Sequence, residues 1–336
     1  MIYNNTVSII IPVFNEEKYI EKCLDSIINQ TYNNITEILI LDGMSTDATR
    51  SIVSKYTESC NKIRLIDNNA RIQSAALNIG ITSAKGDIIV RVDAHAIYDE
   101  NYVYNCVHHL NETKSENVAN VGGPTYLVTS GKYVADSIVF LHESKFGIGV
   151  AKFRQKDFEG YVDTVWNGAF WRSVFENVGL YNESLTRSED NDMNNRITKK
   201  GYKIYQSKDI IAYYHPRTTI KQVLLQNYAN GKAIGNSIVS NSEIIRIRHL
   251  VPLGFVMSIL FFGALWKVNV VFKFAEIFIL LSYFTLAIIE GIKIGCKNGF
   301  KYAPIMIIMF FLLHVAYGIG TIVGFFSELK KNIVKK

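Results

Sequence analysis

The stretch G-D-I-I-V-R-V-D-A-H, residues 86–95, carries an apolar run straight into an acid and a histidine two positions apart. A short apolar run rich in β-branched residues reads as a strand buried on both faces. Three more runs have the same character: V-S-I-I-I-P-V (7–13), E-I-L-I-L-D (37–42) and K-I-R-L-I-D (62–67). Between them the period changes. Tyr19, Ile20, Cys23, Leu24, Ile27 and Ile28 recur at helical spacing, with Asn15 placed as an N-cap. G-M-S-T-D-A-T-R after residue 42 opens a second helix, which Ser45 or Thr46 can cap, and R-I-Q-S-A-A-L-N-I-G-I (71–81) makes a third. Buried strands alternating with amphipathic helices predict an α/β fold, a mostly parallel sheet with helices on both faces. Ligands of such sheets bind beyond the carboxyl ends of the strands. Pro12–Asn15, Asp42 and Asp93 all fall at such ends.

The chain has 336 residues and a formal net charge of +6. Its four cysteines, Cys23, Cys60, Cys106 and Cys296, form no C-x-x-C, which fits a reducing compartment without a zinc or disulfide framework. Met1 leads directly into the first strand, so no secretory signal is expected. From Arg246 onward there are 11 Lys/Arg against 3 Asp/Glu, whereas the preceding residues balance at −2. That basic third is also very apolar: 250–266 and the 25 residues from Tyr302 to Phe326 carry no charge. Such lengths are those of bilayer spans, and their flanking lysines read as anchors to anionic lipid rather than as a nucleic-acid surface. The expected organisation is a catalytic domain over 1–240 and a membrane domain over 241–336. Its candidate segments are 250–266, 274–292 and 302–326, the middle one weakened by Lys273 and Glu276. Three spans place the K-K-N-I-V-K-K tail opposite the first domain; two spans and an interfacial helix place it on the same side. Three is the expectation.

Taken singly, the polar residues have bland readings. Asp42 suits a turn, Arg71 a solvated surface, His215 in A-Y-Y-H-P-R a structural histidine, and Asp93-Ala94-His95 a loop. As ligands, a carboxylate and an imidazole suit Mn2+, or Mg2+ with added waters. In L-T-R-S-E-D-N-D-M-N-N-R-I (185–197) three acids crowd a helix start, where the dipole favours them, and Asp192 and Arg196 are an i,i+4 pair. Repulsion between Glu189 and Asp190 would also raise a pKa, as a general base requires.

As an ordered set these motifs are specific. P-V-F-N-E-E, D-G-M-S-T-D-A-T, D-A-H, W-N-G-A-F-W-R, S-E-D-N-D-M-N-N-R and H-P-R, in that order over about residues 5–235, strongly resemble the family 2 glycosyltransferases with the GT-A fold. F-R-Q-K-D-F-E-G-Y-V-D-T-V-W-N-G-A-F-W-R (153–172) further resembles the bacterial exopolysaccharide branch of the succinoglycan type, which also carries C-terminal membrane segments. The resemblance implies that Pro12, Phe14 and Glu16 line the nucleotide pocket, that Asp42 binds the base, and that Arg71 lies near the diphosphate. It implies Asp93, His95 and His215 as metal ligands, Asp93 also meeting the donor. Asp93-Ala94-His95 departs from the usual D-x-D of the family, although the GT-A polypeptide N-acetylgalactosaminyltransferases use D-x-H with manganese. Asp190 matches the proposed base, beside Glu189, and Trp166, Asn167 and Gly168 match the acceptor-side loop.

The function implied is inverting transfer of a sugar from a nucleotide donor, a UDP-sugar by default, to a hydroxyl of a lipid-linked saccharide. It would use a divalent metal, Mn2+ or Mg2+. The implied setting is multi-pass in a bacterial-type cell membrane, with the catalytic domain cytoplasmic and no nucleic acid as partner. A polyprenyl-phosphate sugar synthase and a non-catalytic nucleotide-binding membrane scaffold are the alternatives. No strand is followed by G-x-G-x-x-G, which disfavours a dinucleotide oxidoreductase.

Overall fold

The computed structural model describes residues 3–148, 155–185, 187, 189–240 and 245–334. Phe153 and Arg154 of the exopolysaccharide-type stretch, Thr186 and Ser188 of the acidic stretch, and the last two lysines lie outside the described residues. Contacts divide the chain into two units, Met1–Leu127 with Ala151–His215, and Val128–Val150 with Pro216–Lys336.

In the first unit the elements follow in order β1 (Val7–Val13), α1 (Ile20–Ile28), β2 (Ile35–Asp42), α2 (Thr49–Ser59), β3 (Ile63–Asp67), α3 (Gln73–Ser83), β4 (Ile88–Arg91), β5 (Ala96–Tyr98), α4 (Tyr102–Glu112), β6 (Val118–Gly123) and β7 (Thr125–Leu127). The chain leaves for α5 (Tyr133–Glu143) of the second unit, then returns as β8 (Gly160–Val162), β9 (Trp166–Trp171), α6 (Arg172–Val178), α7 (Glu189–Lys199), β10 (Lys203–Gln206) and β11 (Ala212–Tyr214).

Eight strands form one sheet in the order β3-β2-β1-β4-β9-β6-β10-β8, and β5-β11-β7 form a small second sheet. The first four pair in parallel, while β9 runs antiparallel between β4 and β6. Side chains alternate across the large sheet, as the two-residue strand period demands. Val7, Ile9, Ile11 and Val13 join Ile88, Val90, Ile20, Leu24, Val103 and Val107 on one face. Ile10, Leu39, Leu41 and Ile89 join Leu77, Phe175, Met193 and Ile197 on the other. Both faces of β1, β2 and β4 are therefore dry, which is why these strands read as apolar runs, whereas β3 at the edge of the sheet is only half-buried. Gly86 is required where the chain enters β4, since a Cβ there would meet the backbone of Val7 and Ser8. The first helix is shorter than expected: Glu16–Tyr19 make a turn, and the cap position belongs to Tyr19 rather than Asn15.

The second unit consists of α5, α8 (Ile220–Ser240), α9 (Ile247–Ala264), α10 (Val270–Asn298) and α11 (Ala303–Val334). Three helical stretches, Ile247–Ala264, Val270–Asn298 and Phe300–Val334, are long and apolar enough to cross a membrane. The second and third contain 274–292 and 302–326, the first stops two residues short of the end of 250–266, and the middle helix is continuous. Its charges are accommodated, because Trp266 Nε1 donates to the Glu276 carboxylate while Lys273 Nζ lies 5.6 Å from the Trp266 ring centre. α8 lies within the stretch assigned to the catalytic domain from sequence, but it packs on α11 through two facing G-x-x-x-G pairs. A Cβ at Gly231 or Gly235 would run into the carbonyls of Tyr317 or Thr321, and one at Gly320 or Gly324 into those of Tyr228 or Lys232. Backbones come that close only when both helices present glycine.

Gly320→Leu should therefore destabilise the full chain in detergent by about 1–3 kcal/mol or more, seen as a lower melting temperature. Gly254→Leu on α9, where an added Cβ meets nothing within 4 Å, should leave it unchanged.

Candidate active site

The carboxyl ends of β1, β2, β3 and β4 lie along one edge of the sheet because the strands pair in parallel, Val13 opposite Asp42 and Asp42 opposite Asp67. The loops leaving β1, β2 and β3, and the start of β9 beside β4, are strained. Asn15, Met44, Arg71 and Asn167 all hold positive φ, between 55° and 62°, and only Asn117 shares this among the other described non-glycine residues. Each such residue costs about 1–3 kcal/mol and persists only where its surroundings over-determine it.

Those surroundings are visible for the first two loops. Asn15 Oδ1 accepts from Thr46 N at 2.8 Å, while Asn15 N donates to Ser45 Oγ at 2.9 Å and Glu16 N to Thr49 Oγ1 at 2.8 Å. Ser45 and Thr46 thus tie loop to loop instead of capping α2. Pro12 is the last residue but one of β1, half-buried; Phe14 is exposed on the loop edge, and Glu16 turns towards His95. Asp42 departs from expectation. Its carboxylate is completely enclosed, accepting from Ser45 N at 3.1 Å and from Arg50 Nη1 at 2.5 Å. Arg50 also reaches Asp67 Oδ1 at 2.8 Å, so a nucleobase would share Asp42 with this arginine. Arg71 stands exposed just before α3.

At the end of β4 the side chains of the D-A-H triplet diverge. His95 Nδ1 lies 3.1 Å from Glu16 Oε1, while Asp93 faces Asn167 and Arg91. With its amide oriented to satisfy both neighbours, Asn167 donates to the two Asp93 oxygens at 3.1 and 3.2 Å and accepts from Tyr98 Oη at 3.0 Å. Asn167 is thus a partner of Asp93. Gly168 follows at φ 109° against the Asn120 side chain, and Trp166 stacks on Tyr98. β11 returns His215 beside His95, its N–H donating to the His95 carbonyl at 3.3 Å, but the ring stacks on Tyr19. The expected trio Asp93, His95 and His215 is therefore no preformed cage. Among the described residues no three His, Cys, Asp or Glu side chains gather closely enough to hold an ion. The donors nevertheless suit a divalent cation that arrives with a diphosphate, since such ions use one or two carboxylates and take their remaining ligands from phosphate and water.

The acidic stretch opens α7. Met193 and Ile197 are buried, Asn194 is hydrogen-bonded to Asn120 and Thr164, and Arg196 pairs with Asp192 at 2.9 Å as the spacing predicts. So anchored, the helix presents its first residues to the strand edge. Glu189 is buried, whereas the Asp190 side chain is 40% exposed and ion-paired with Arg91 Nη1. Burial first, and then the Asp190 charge, push Glu189 up to about 7. Repulsion, expected as the cause, comes second. Two arginines, Arg91 and Arg50, were missed in the sequence. A charge inside the apolar run 88–92 was the available signal for Arg91, because a charged side chain in a buried strand must have partners.

Residues 8–179 match the family model described as glycosyl transferase family 2. The chain belongs to glycosyl transferase family 2. It is 29% identical over 337 residues, 98% of each chain, to the dolichyl N-acetyl-alpha-D-glucosaminyl phosphate 3-beta-D-2,3-diacetamido-2,3-dideoxy-beta-D-glucuronosyltransferase of Methanococcus voltae. It is 25% identical to the succinoglycan biosynthesis protein ExoA of Rhizobium meliloti, over 96% of this chain and 94% of that one. Among solved structures, mannosyltransferase PcManGT from Pyrobaculum calidifontis, in complex with GDP-Man and Mn2+, aligns with a TM-score of 0.59 at 19% identity. The alignment covers 94% of this chain and 87% of that one. The fold is GT-A, as the ordered motifs imply.

The Glu189 shift has a consequence for stability. Between its ordinary value of 4.5 and about 7 the folded protein keeps a proton that the unfolded chain has released. The contribution of this group to stability therefore falls as pH rises through that window. Glu189→Gln removes the group, so its melting temperature should gain on wild type by several degrees between pH 4.5 and pH 8. A difference independent of pH would contradict the shift.

Proposed function

We propose that this family 2 member is an inverting glycosyltransferase that moves a sugar from a nucleoside-diphosphate donor to a hydroxyl of a lipid-linked saccharide in exopolysaccharide or surface-glycan synthesis. The observation that carries this reading is the approach of the α7 carboxylate Asp190 to the same guanidinium that faces Asp93, two residues beyond β4. A base for the acceptor and a carboxylate for the donor then share one cleft.

Asp190 takes the proton of the acceptor hydroxyl as its oxygen bonds to the anomeric carbon, and the bond from that carbon to the diphosphate breaks on the opposite face. Asp93 would hold a divalent cation, Mn2+ or Mg2+, with His95 and His215 close enough to contribute; the ion would neutralise charge on the departing diphosphate. Asn167 fixes the Asp93 carboxylate and so sets where the diphosphate can lie. Pro12, Phe14, Glu16, Asp42 and Arg71 form the nucleotide side; Trp166 and Gly168 form the acceptor side. UDP is the default nucleotide.

Two points favour a lipid-borne acceptor, and a third favours exopolysaccharide synthesis. Three helices are apolar and long enough to span a bilayer. The M. voltae relative is named for transfer to a dolichyl-phosphate-linked sugar, and the R. meliloti relative for succinoglycan synthesis. The chain then resides in the membrane with its catalytic unit in the cytoplasm, where nucleotide sugars are made.

Asp190→Asn should lower transfer by about 100-fold or more while leaving donor binding within about 2-fold, measured as nucleoside diphosphate release and by nucleotide titration. Equal loss of both would remove Asp190 as base. Undiminished transfer would instead favour a lipid phosphate as acceptor, since a phosphate needs no base. A chelator should abolish release, with Mn2+ or Mg2+ restoring it.

A further inference from the structure

One residue of the cleft belongs to none of these roles. Arg91 is the last residue of β4, backbone-paired with Ile10 on one side and Gly168 on the other. Strand alternation places it on the face of Ile89, the face against which Met193 and Ile197 of α7 pack. Its side chain is 4% exposed. A charge buried to that degree survives only when paired. Its partners are Asp190 Oδ1, bonded to Nη1, and Asp93 Oδ1, 3.7 Å from Nη2, while Nε is buried without a hydrogen-bond partner among the described residues. Tyr181 and Glu189 complete its surroundings.

We propose that Arg91 is a positioning residue that sets the acceptor-side base against the donor-side carboxylate, holding Asp190 by one oxygen and leaving the other for the substrate hydroxyl. The assignment rests on the glycosyl-transfer reading above. Three features carry it. The guanidinium is planar and forked, so one side chain addresses two carboxylates from different elements at fixed angles, which an ammonium cannot do. It stands on a strand held by neighbours on both sides, whereas Asp190 stands on the first turn of a helix that follows almost 100 residues later. The anchor is thus the strand, and the helix is registered to it. Asp190 Oδ2 has no hydrogen-bond partner among the described residues, and the side chain is 40% exposed. Glu189, beside it, is 8% exposed and cannot meet a substrate directly. Arg91 thereby also decides which member of the E-D pair faces the acceptor.

The test uses the full chain in membranes or detergent, with Arg91→Gln, Arg91→Lys, Asp190→Asn and the Arg91→Gln/Asp190→Asn double variant. Arg91→Gln should lower kcat by about 100-fold and move the donor KM by less than about 3-fold. Arg91→Lys should recover about 10-fold of that loss and stay about 10-fold below wild type, because charge returns without the fork. Where Asp190→Asn is already present, adding Arg91→Gln should cost less than about 3-fold, since the arginine acts through the carboxylate that is gone. Losses that multiply, a change confined to donor KM, or undiminished kcat in Arg91→Gln would each overturn the proposal. Should Arg91→Gln not fold, Arg91→Lys decides, because wild-type kcat in that variant overturns it and a kcat loss at unchanged KM upholds it. Full activity of Asp190→Asn would overturn the glycosyl-transfer reading itself, while inactive Asp190→Asn beside active Arg91 variants would overturn the role of Arg91 alone.

Discussion

The parallel register of β1 between β2 and β4 is the constraint on which the rest of the catalytic unit depends. Because the strands point the same way, their carboxyl ends emerge along one edge: Val13, Asp42 and Asp67 stand level, and Arg91 ends β4 opposite Ile10. Both faces of this sheet are buried under helices, so sliding any strand by one residue would exchange its two apolar faces and move its polar end residue off the edge. The core and the cleft are thus specified by the same hydrogen bonds.

At that edge the protein accepts costs that a plain loop would avoid. Four non-glycine residues hold left-handed backbone, a carboxylate is enclosed at Asp42, and an arginine is enclosed at Arg91. Several are balanced locally. Asn15 is locked by Ser45 and Thr46, Asp42 by Arg50, Arg91 by Asp190, and Asp93 by Asn167. The result is a set of carboxylates held in place before a substrate arrives, which is the arrangement catalysis by positioning requires.

The second unit follows a different rule. α8 and α11 associate through close backbone approach, which their facing glycines supply, a mode of contact that helices use where apolar burial from water cannot drive them together. That explains how α8, only moderately apolar, belongs with the C-terminal helices while lying before them in the chain. It also separates two meanings of a glycine-rich stretch: at Gly86 and Gly168 the missing side chain serves strand entry and a close strand contact, and in α8 and α11 it serves helix contact.

Much of this was legible in the chain itself. Apolar runs at 7–13, 37–42 and 86–92 forecast buried parallel strands, 62–67 forecast a parallel strand that is instead the half-exposed edge of the sheet, and uncharged lengths after 250 forecast membrane-sized helices, because burial and bilayer thickness act on local composition. The Asp192–Arg196 pair was legible for the same reason, being set by helix pitch alone. The pairings that define the cleft were not. Arg50 with Asp42, Asn167 with Asp93 and Arg91 with Asp190 join residues 8, 74 and 99 positions apart, and for the last two no local period encodes such a meeting. Nor did Asn15 cap a helix, because its partners on the 45–46 loop claim it first. The sequence by itself determined which segments would be strands, helices and apolar spans. Only the tertiary structure decided which charges meet, because those meetings depend on the order in which strands pair across the sheet.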